Sequence, residues 1–317
     1  MSYTIDSRQG ISYPAAFLIL TGLLLVSFVV GSLAGAAVWA AMTGKGILTM
    51  QTDMFDPKYV NVIRVVQLVS TFFIFFVPAI ITASILNRKP LKFLGYNDWF
   101  DAKTAGITLL VMLVSLPLVG ALTELNKMIP VPASMETLFR QMEDAYEKQV
   151  KIMSKMDGFG DYFLSIIVMA LGPAIFEETF FRGGLQNILH KWTGRKWMPL
   201  IITSVVFSAI HFSYYGFIPR MALGIILGLL YLRSGSLWMS ILAHFINNAL
   251  VVSVIFYLTS QGRPIEDAME DTDPLWVGAV ALVAIVCLFM YFKKFSEDVK
   301  KQKMPVEDRA LEEQWLA

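Results

Sequence analysis

The chain has 317 residues, of which 56% are hydrophobic and 16% are charged, and its formal net charge is +1. Soluble domains carry about 25% charged residues, so this composition excludes an ordinary soluble domain and predicts a membrane protein. The basic residues are scattered over short loops and the C-terminal tail, and no basic face indicates nucleic-acid binding. The single cysteine, Cys287, excludes an intrachain disulfide.

Apolar runs long enough to cross a bilayer core predict an all-α fold, a polytopic membrane helix bundle of about eight transmembrane helices. The first run is longer than the apolar part of a signal peptide and many spans follow it, so we interpret it as a retained helix. The fifth and sixth spans are short, and tilted or bundle-buried helices there would change the count by one or two. The predicted spans are 15–42, 62–86, 104–124, 161–181, 198–213, 217–232, 236–258 and 275–292.

Between the third and fourth spans, segment 131–157 places apolar residues at three- and four-residue steps with charges between them. This spacing predicts an amphipathic helix at the outer interface or over the bundle. Two interpretations stay open, a helical linker packed on its neighbours and a lid or substrate gate.

The charges of the loops predict the orientation of the chain. Loops 87–92 and 190–196 and the tail 293–309 are basic, whereas loop 261–273 is mainly acidic. By the positive-inside rule, both termini then face the cytoplasm. With short basic loops and no organelle address, we expect an integral protein of a bacterial inner membrane.

Ionisable and amide side chains inside apolar spans mark pathways or active sites, because burying them in a membrane is costly. Glu178 and Arg182 are four residues apart, so they share a helix face and can form an ion pair. Glu177 points about a quarter turn away and is the freer carboxylate, as a general base requires. Three more polar sites stand out within the predicted spans: His211, the pair of His244 and Asn248, and Asn247 beside that pair.

Phe207 and His211 are also four residues apart, as are His244 and Asn248, so each pair presents one face of its helix. A bundle that joins these faces to the freer carboxylate can activate water and stabilise an oxyanion. Each feature also has a purely structural interpretation. The glutamate–arginine ion pair can serve as a lock, that is, a contact that only stabilises the fold, and each histidine can form a hydrogen bond between helices. Their concentration in the C-terminal half favours one site over several unrelated locks.

Two other catalytic signatures fail. The sequence contains no HExxH, so the standard zinc-protease arrangement is absent. GFGD at 158–161 resembles an element of presenilin-type aspartyl proteases, but no partner aspartate lies within a span. We therefore interpret Asp161 as unrelated to catalysis.

Three short motifs, taken together, fit one family. EETFFR at 177–182 matches E-E-x-x-x-R, FSAIH at 207–211 matches F-x-x-x-H, and HFINN at 244–248 matches H-x-x-x-N. In this order, on consecutive apolar spans, they resemble the motifs of the CPBP family of CAAX proteases and bacteriocin-processing enzymes, which includes the type II CAAX prenyl endopeptidases. The resemblance covers about 161–258.

The resemblance implies an intramembrane, glutamate-dependent endopeptidase. In that scheme Glu177 and His211 activate the attacking water, and His244 and Asn248 stabilise the tetrahedral oxyanion. No metal is required, so no cofactor is expected, although glutamate and histidine clusters leave zinc open. The supporting residues are Glu178, Arg182 and Phe207.

The implied partners are the lipid bilayer and a peptide or protein substrate. Eukaryotic and archaeal relatives trim prenylated C-terminal CaaX tails, while bacterial relatives are linked to bacteriocin maturation or self-immunity, and the sequence does not choose between them. The oligomeric state is also open. Two other classes stay as alternatives: a non-catalytic immunity or scaffold protein on the same fold, and a proton-coupled transporter.

These assignments divide the chain into three segments. Residues 1–160 hold the first helices and the amphipathic segment, and residues 161–258 form the catalytic core. Residues 259–317 hold the acidic loop, the last transmembrane helix and the basic tail.

Overall fold

The computed structural model describes residues 10–265 and 273–304. Throughout these residues the regular structure is helical, which confirms the predicted all-α membrane bundle. The helices are α1 (Tyr13–Thr43), α2 (Ile47–Asp53), α3 (Pro57–Leu86), α4 (Pro90–Phe93), α5 (Ala102–Lys127), α6 (Glu136–Met153), α7 (Phe159–Thr193), α8 (Trp197–Ala209), α9 (Phe217–Ser234), α10 (Leu237–Ser260) and α11 (Leu275–Lys303).

In the described part of the chain, seven helices are long and apolar enough to cross a membrane: α1, α3, α5, α7, α9, α10 and α11. Helix α8 is apolar but has only 13 residues, about 20 Å of helix, in keeping with the short fifth span expected from the sequence. Several predicted bounds differ from the ends of the helices, and two of these differences concern the helices that carry the first two motifs. Helix α7 continues past residue 181 to Thr193 because the charge of Arg182 is paired inside the bundle, and α8 ends at Ala209, before residue 213.

Capping residues explain where several helices begin and end. Asp101 begins α5 with a capping box, in which its carboxylate accepts from the Thr104 N–H at 2.8 Å and its own N–H donates to the Thr104 hydroxyl at 2.9 Å. Helices α1 and α9 end at Gly44 and Gly235, both with φ of +68°, a conformation that favours glycine.

Two large apolar clusters hold the bundle together. One joins α1, α3 and α7 through buried residues that include Leu20, Ala83 and Phe181. The other joins α5, α9, α10 and α11 and includes Met112 and Leu227. Helices α7 and α10, which carry the first and third motifs, lie between these clusters. The division of the chain into three segments stays a prediction.

Both ends of the described chain lie at one end of the bundle. At the end of α11, Lys303 Nζ donates to the backbone oxygen of Asp98, at 2.9 Å. In the last turns of α7, Asn187 Nδ2 donates to the carbonyl of the last residue of α4, at 2.7 Å, and the Trp192 ring lies 5.8 Å from that of Phe17 near the start of α1. These contacts gather the start of α1, α4, the end of α7 and the end of α11.

The opposite end is closed by α6, which occupies most of the predicted amphipathic segment. The Phe139 ring of α6 stacks on Tyr214 at 4.8 Å, and Glu143 accepts from the Ser213 hydroxyl at 3.0 Å. Because Ser213 and Tyr214 follow α8 directly, α8 returns the chain to the end of the bundle where α6 lies. The short helix therefore makes an eighth crossing.

A buried arginine fixes the end of α6. Arg64 of α3 is fully buried and donates to the carbonyls of Met153, at 2.9 Å, and Lys155, at 2.5 Å. Asp161 of the GFGD sequence joins this network, because it accepts from Asn61 at 3.3 Å and lies 3.7 Å from the Arg64 guanidinium. These contacts hold Asp161 at the start of α7, away from the residues of the three motifs.

Candidate active site

Helix α7 changes its winding where it carries the acidic motif. The turn that ends in Glu177 and Glu178 is α-helical, and a π-helical segment follows from Thr179 to Gln186. Such local widening is rare and is often found at functional sites. The widened segment lies close to the loop after α4: a Cβ on Gly183 would approach the Leu94 backbone oxygen to 2.8 Å.

Glu178 is fully buried, and its carboxylate is bound by three side chains. Arg182 Nη1 donates to Oε1 at 2.6 Å, which is the predicted ion pair four residues along the helix. His244 Nδ1 of α10 also donates to Oε1, at 2.8 Å, and the Ser240 hydroxyl donates to Oε2. The two oxygens are thus held by charge-assisted hydrogen bonds from both helices.

Glu177, one residue earlier, has a different environment. The residue is partly exposed, yet its Oε2 atom is buried and has no hydrogen-bond partner among the described residues. His244 and the neighbouring ion pair act on it electrostatically. A buried carboxylate oxygen without a partner is costly in a folded protein, so it marks a position where a ligand or water is expected.

Phe207 of α8 lies at the centre of the cluster and is buried. The Arg182 guanidinium carbon lies 4.7 Å from its ring centroid, and the rings of His211 and His244 lie at 5.1 Å and 5.8 Å. Phe207 therefore contacts a residue from each of the three motifs. Arg182 Nη2 completes this packing by donating to the carbonyl of Gly224 in α9, at 3.0 Å.

His211 lies in the turn that follows α8, which corrects its predicted place within a span. Its Nδ1 lies 2.7 Å from the Phe207 carbonyl, which can only accept, so Nδ1 carries the hydrogen and Nε2 of the neutral ring keeps its lone pair. The next residue, Phe212, has φ of +50°, the single positive value for a non-glycine residue in the described ranges. This conformation, costly for a bulky residue, turns the chain away from the axis of α8, three residues after the helix ends.

On α10, the polar residues Ser240, His244 and Asn248 follow one another at steps of four and share a face. Asn248 Nδ2 donates to the Met169 carbonyl of α7 at 3.2 Å, and its Oδ1 accepts from Asn247 at 3.1 Å. Helices α7 and α10 therefore run antiparallel with polar contacts along their shared face. Within the described residues Asn248 Nδ2 donates one hydrogen bond, so its second amide hydrogen can bind a ligand.

Two features of the site went unrecognised in the sequence. Ser240 binds Glu178, and the spacing of four to His244 was the signal that could have revealed it. On α9, Gly224 and Gly228 form a G-x-x-x-G pair, which lets helices approach closely in membranes. Their carbonyls accept from two polar residues of α7 that are also four apart, Arg182 and Gln186, at 3.0 and 3.2 Å.

No group of three or more His, Cys, Asp or Glu side chains within residues 10–265 and 273–304 is arranged to hold a metal ion. The polar cluster contains two carboxylates and two imidazoles, but one carboxylate and one imidazole bind each other. The expectation of a metal-independent site stays a prediction.

The fold and the site define an integral membrane helix bundle that holds a buried glutamate–histidine–arginine cluster. Residues 159–250 match the family described as type II CAAX prenyl endopeptidase Rce1-like. The resemblance recognised in the three motifs is thereby confirmed over this segment, which is similar to that family of membrane proteases.

Two curated relatives each match about a quarter of the chain. The uncharacterized protein YpbD of Bacillus subtilis (strain 168) is 37% identical over 89 residues, which are 27% of this chain and 42% of the relative. An uncharacterized 24.3 kDa protein of Escherichia coli is 31% identical over 90 residues, 26% of this chain and 41% of the relative. The chain thus spans about two fifths of the length of these relatives. No solved structure matches.

Proposed function

We propose that this protein is an intramembrane, metal-independent endopeptidase that uses a glutamate to activate water. The observation that carries the proposal is the contrast between two adjacent glutamates. Glu178 is bound by three side chains, whereas Glu177 keeps a buried oxygen without a partner. The fully paired carboxylate of Glu178 positions the side chains that bind it. The unpaired carboxylate oxygen of Glu177 is free to bind and deprotonate water.

In the proposed reaction, Glu177 accepts a proton from a water molecule that His211 Nε2 helps to orient. The water oxygen forms a bond to the scissile carbonyl carbon, and the carbonyl electrons become the oxyanion of a tetrahedral intermediate. Glu177 then returns the proton to the peptide nitrogen, the carbon–nitrogen bond breaks, and the products are a carboxylic acid and an amine. The hydrogen bond from His211 Nδ1 to the Phe207 carbonyl supports this assignment, because it leaves Nε2 as the accepting atom.

The oxyanion is stabilised in this proposal by His244 and Asn248. Since His244 Nδ1 already donates to Glu178, its Nε2 can donate as well only when the ring is cationic. The second amide hydrogen of Asn248 supplies another donor, and the Met169 carbonyl fixes the orientation of the amide.

The remaining residues of the cluster act by positioning. Arg182 and Ser240 hold Glu178, Glu178 holds the His244 ring, and Phe207 packs against both histidines. Because an error of about 1 Å in such a site can cost about 100-fold in rate, we expect these contacts to matter as much as the reacting groups.

The substrate that we propose is a peptide or protein that reaches the site from the bilayer, either a prenylated CaaX-type tail or a bacteriocin-like precursor. We place the protein in a bacterial inner membrane. Both ends of the described chain lie at one end of the bundle, and the basic loops and tail favour the cytoplasm for that end.

The test is proteolysis by the purified protein in detergent, against a library of membrane-tethered and prenylated peptides. We expect the wild type to cleave at least one peptide, and Glu177→Gln and His211→Ala to lose that cleavage while keeping the thermal unfolding of the wild type. Full activity in Glu177→Gln would refute the glutamate mechanism. Silence from all three folded proteins would favour a scaffold, and proton or solute flux in liposomes would favour a transporter.

A further inference from the structure

The turn that carries His211 is held by two side chains from helices outside the segment that matches the family. His211 lies in residues 210–216, which connect α8 to α9. Its hydrogen bonds within the described chain reach back to α8: its backbone N–H donates to the Ser208 carbonyl at 3.2 Å, and Nδ1 donates to the Phe207 carbonyl at 2.7 Å. The place of the ring therefore also depends on what holds the rest of the turn.

Asn126, in the last turn of α5, binds this connection through both ends of its amide. Nδ2 donates to the Tyr214 carbonyl at 3.0 Å, and Oδ1 accepts from the Ile218 backbone N–H at 2.9 Å. The residue is only 2% exposed. Because an amide supplies a donor and an acceptor together, Asn126 fixes two backbone groups that follow His211 in the chain.

Glu143 of α6 holds the middle of the same turn. Its carboxylate accepts from the Ser213 hydroxyl at 3.0 Å and from the Tyr215 N–H at 3.4 Å. The Ser213 oxygen in turn accepts from the Gly216 N–H at 3.1 Å. Hydrogen bonds to a carboxylate are about twice as strong as those between neutral groups. Since Ser213 is buried and lies two residues after His211, this network fixes the chain immediately beyond the histidine.

The turn is closed and strained, which explains why it needs such anchors. The Ser208 hydroxyl donates to the Phe217 carbonyl at 2.6 Å and so joins the end of α8 to the start of α9. Between them, Phe212 has φ of +50°. A bulky residue keeps this conformation only where its surroundings hold it. Asn126 and Glu143 supply those contacts from α5 and α6.

We infer that Asn126 and Glu143 are positioning residues that hold the turn after α8 and thereby place the His211 ring where it orients the attacking water. This inference rests on the proposed function. It extends the active site beyond residues 159–250 to helices α5 and α6. The amphipathic helix over the outer end of the bundle thus takes part in the reaction through the turn that it holds.

The test measures kcat and KM, in Asn126→Leu and in Glu143→Ala, for a peptide that the wild type cleaves. A displacement of about 1 Å in such a site can cost about 100-fold in rate, so we expect kcat to fall about 10- to 100-fold in each variant. KM should stay near that of the wild type, because neither side chain is proposed to contact the substrate. Glu143→Gln keeps one of the two accepting oxygens and should restore part of kcat.

The matched control for Asn126→Leu is Asn187→Leu. From another buried position, Asn187 Nδ2 also donates to a backbone carbonyl, that of Phe93 at 2.7 Å, but at the opposite end of the bundle. Its loss should lower the thermal unfolding midpoint and leave kcat unchanged. The control for Glu143→Ala is Glu147→Ala, an exposed position one turn further along α6, which should keep both values.

A second readout reports on the His211 ring itself. The chain contains three histidines, so NMR of protein with ¹⁵N-labelled histidine resolves each ring, and His211→Ala assigns the signal. In the wild type we expect the tautomer with hydrogen on Nδ1. In Asn126→Leu and Glu143→Ala this signal should change to that of a mixture of tautomers, whereas Asn187→Leu should keep the wild-type signal.

Three outcomes would overturn the inference. Wild-type kcat and an unchanged His211 signal in the folded variants would refute it, while loss of cleavage in Glu177→Gln would leave the proposed function intact. An equal loss of kcat in Asn187→Leu would show that stability, and not the turn, sets the rate. If the folded wild type cleaves no peptide, the proposed function and the inference fall together. Should Asn126→Leu fail to fold, the Glu143 variants decide the question.

Discussion

Glu177 and Glu178 are adjacent in the chain, yet a rotation of about 100° along the helix gives them different partners. Glu178 faces α10 and receives hydrogen bonds from Arg182, His244 and Ser240. Glu177 turns away and keeps an unpaired oxygen. A buried negative charge is stable in this apolar interior only with such partners. The free-energy cost of burying a negative charge therefore differs between Glu177 and Glu178, and we assign the two residues different roles.

This difference predicts opposite outcomes for two substitutions. Glu178→Ala leaves Arg182 as a buried, uncompensated charge, which we expect to cost about 3–5 kcal/mol and to lower the thermal unfolding midpoint in detergent strongly. Glu177→Gln removes no contact within the described chain, so its midpoint should stay near that of the wild type.

The control is the exposed pair of Glu136 and Arg140 on α6, which has the same spacing of four. Its side chains are 49% and 70% exposed, so Glu136→Ala should leave the thermal unfolding midpoint close to that of the wild type. A Glu178→Ala protein as stable as the control would show that the buried pair is not a lock.

At the scale of helices, the site depends on how closely α9 approaches α7 and α8. Gly224 and Gly228 expose their carbonyls to Arg182 and Gln186. A Cβ on Gly224 would lie 3.1 Å from the backbone Cα of Ser204 in α8, which cannot move as a flexible side chain could. The two glycines thus set both the packing distance and the support of the buried arginine.

We therefore expect Gly224→Ala to push α9 away from α8, weaken the bond from Arg182, and lower both the unfolding midpoint and peptide cleavage. Overpacking of this kind typically costs about 1–3 kcal/mol. Gly106→Ala in α5 is the matched control, since a Cβ there meets no atom within 4 Å. Equal thermal unfolding and equal cleavage in both variants would contradict the proposed role of this helix contact.

The sequence predicts the parts of the site that lie within one helix. The pair of Glu178 and Arg182 follows from the helical period alone. The bond from His244 to Glu178 does not, because it depends on which helices are neighbours and on their register along each other. The position of His211 beyond α8 was missed for a similar reason: the apolar pattern predicts a span to residue 213, whereas α8 ends at Ala209 and the chain turns at Phe212, where φ is +50°.

At the scale of the whole molecule, helix α8 decides whether the chain crosses the membrane an odd or an even number of times. Seven helices have the length and apolarity of a membrane span, and seven crossings would put the two ends of the chain on opposite sides. The contacts of α6 with the turn after α8 require an eighth, because α6 precedes α7 and the turn follows α8. Helix α8, with 13 residues, is shorter than the bilayer core and carries Phe207 in its last turn.

Labelling with a membrane-impermeant maleimide in intact bacterial cells can test this arrangement, starting from a Cys287→Ser background so that each variant holds one cysteine. Asp144→Cys on α6 and Gln261→Cys after α10 should react in intact cells, since eight crossings place both on the outer side. Arg195→Cys, between α7 and α8, should react only after permeabilisation, because its basic loop is expected in the cytoplasm. All three positions are exposed, so burial does not limit the reaction.

One outcome would contradict the arrangement. If Gln261→Cys reacts like Arg195→Cys and unlike Asp144→Cys, α8 does not cross the membrane, and the contact between α6 and the turn that carries His211 cannot exist in the membrane.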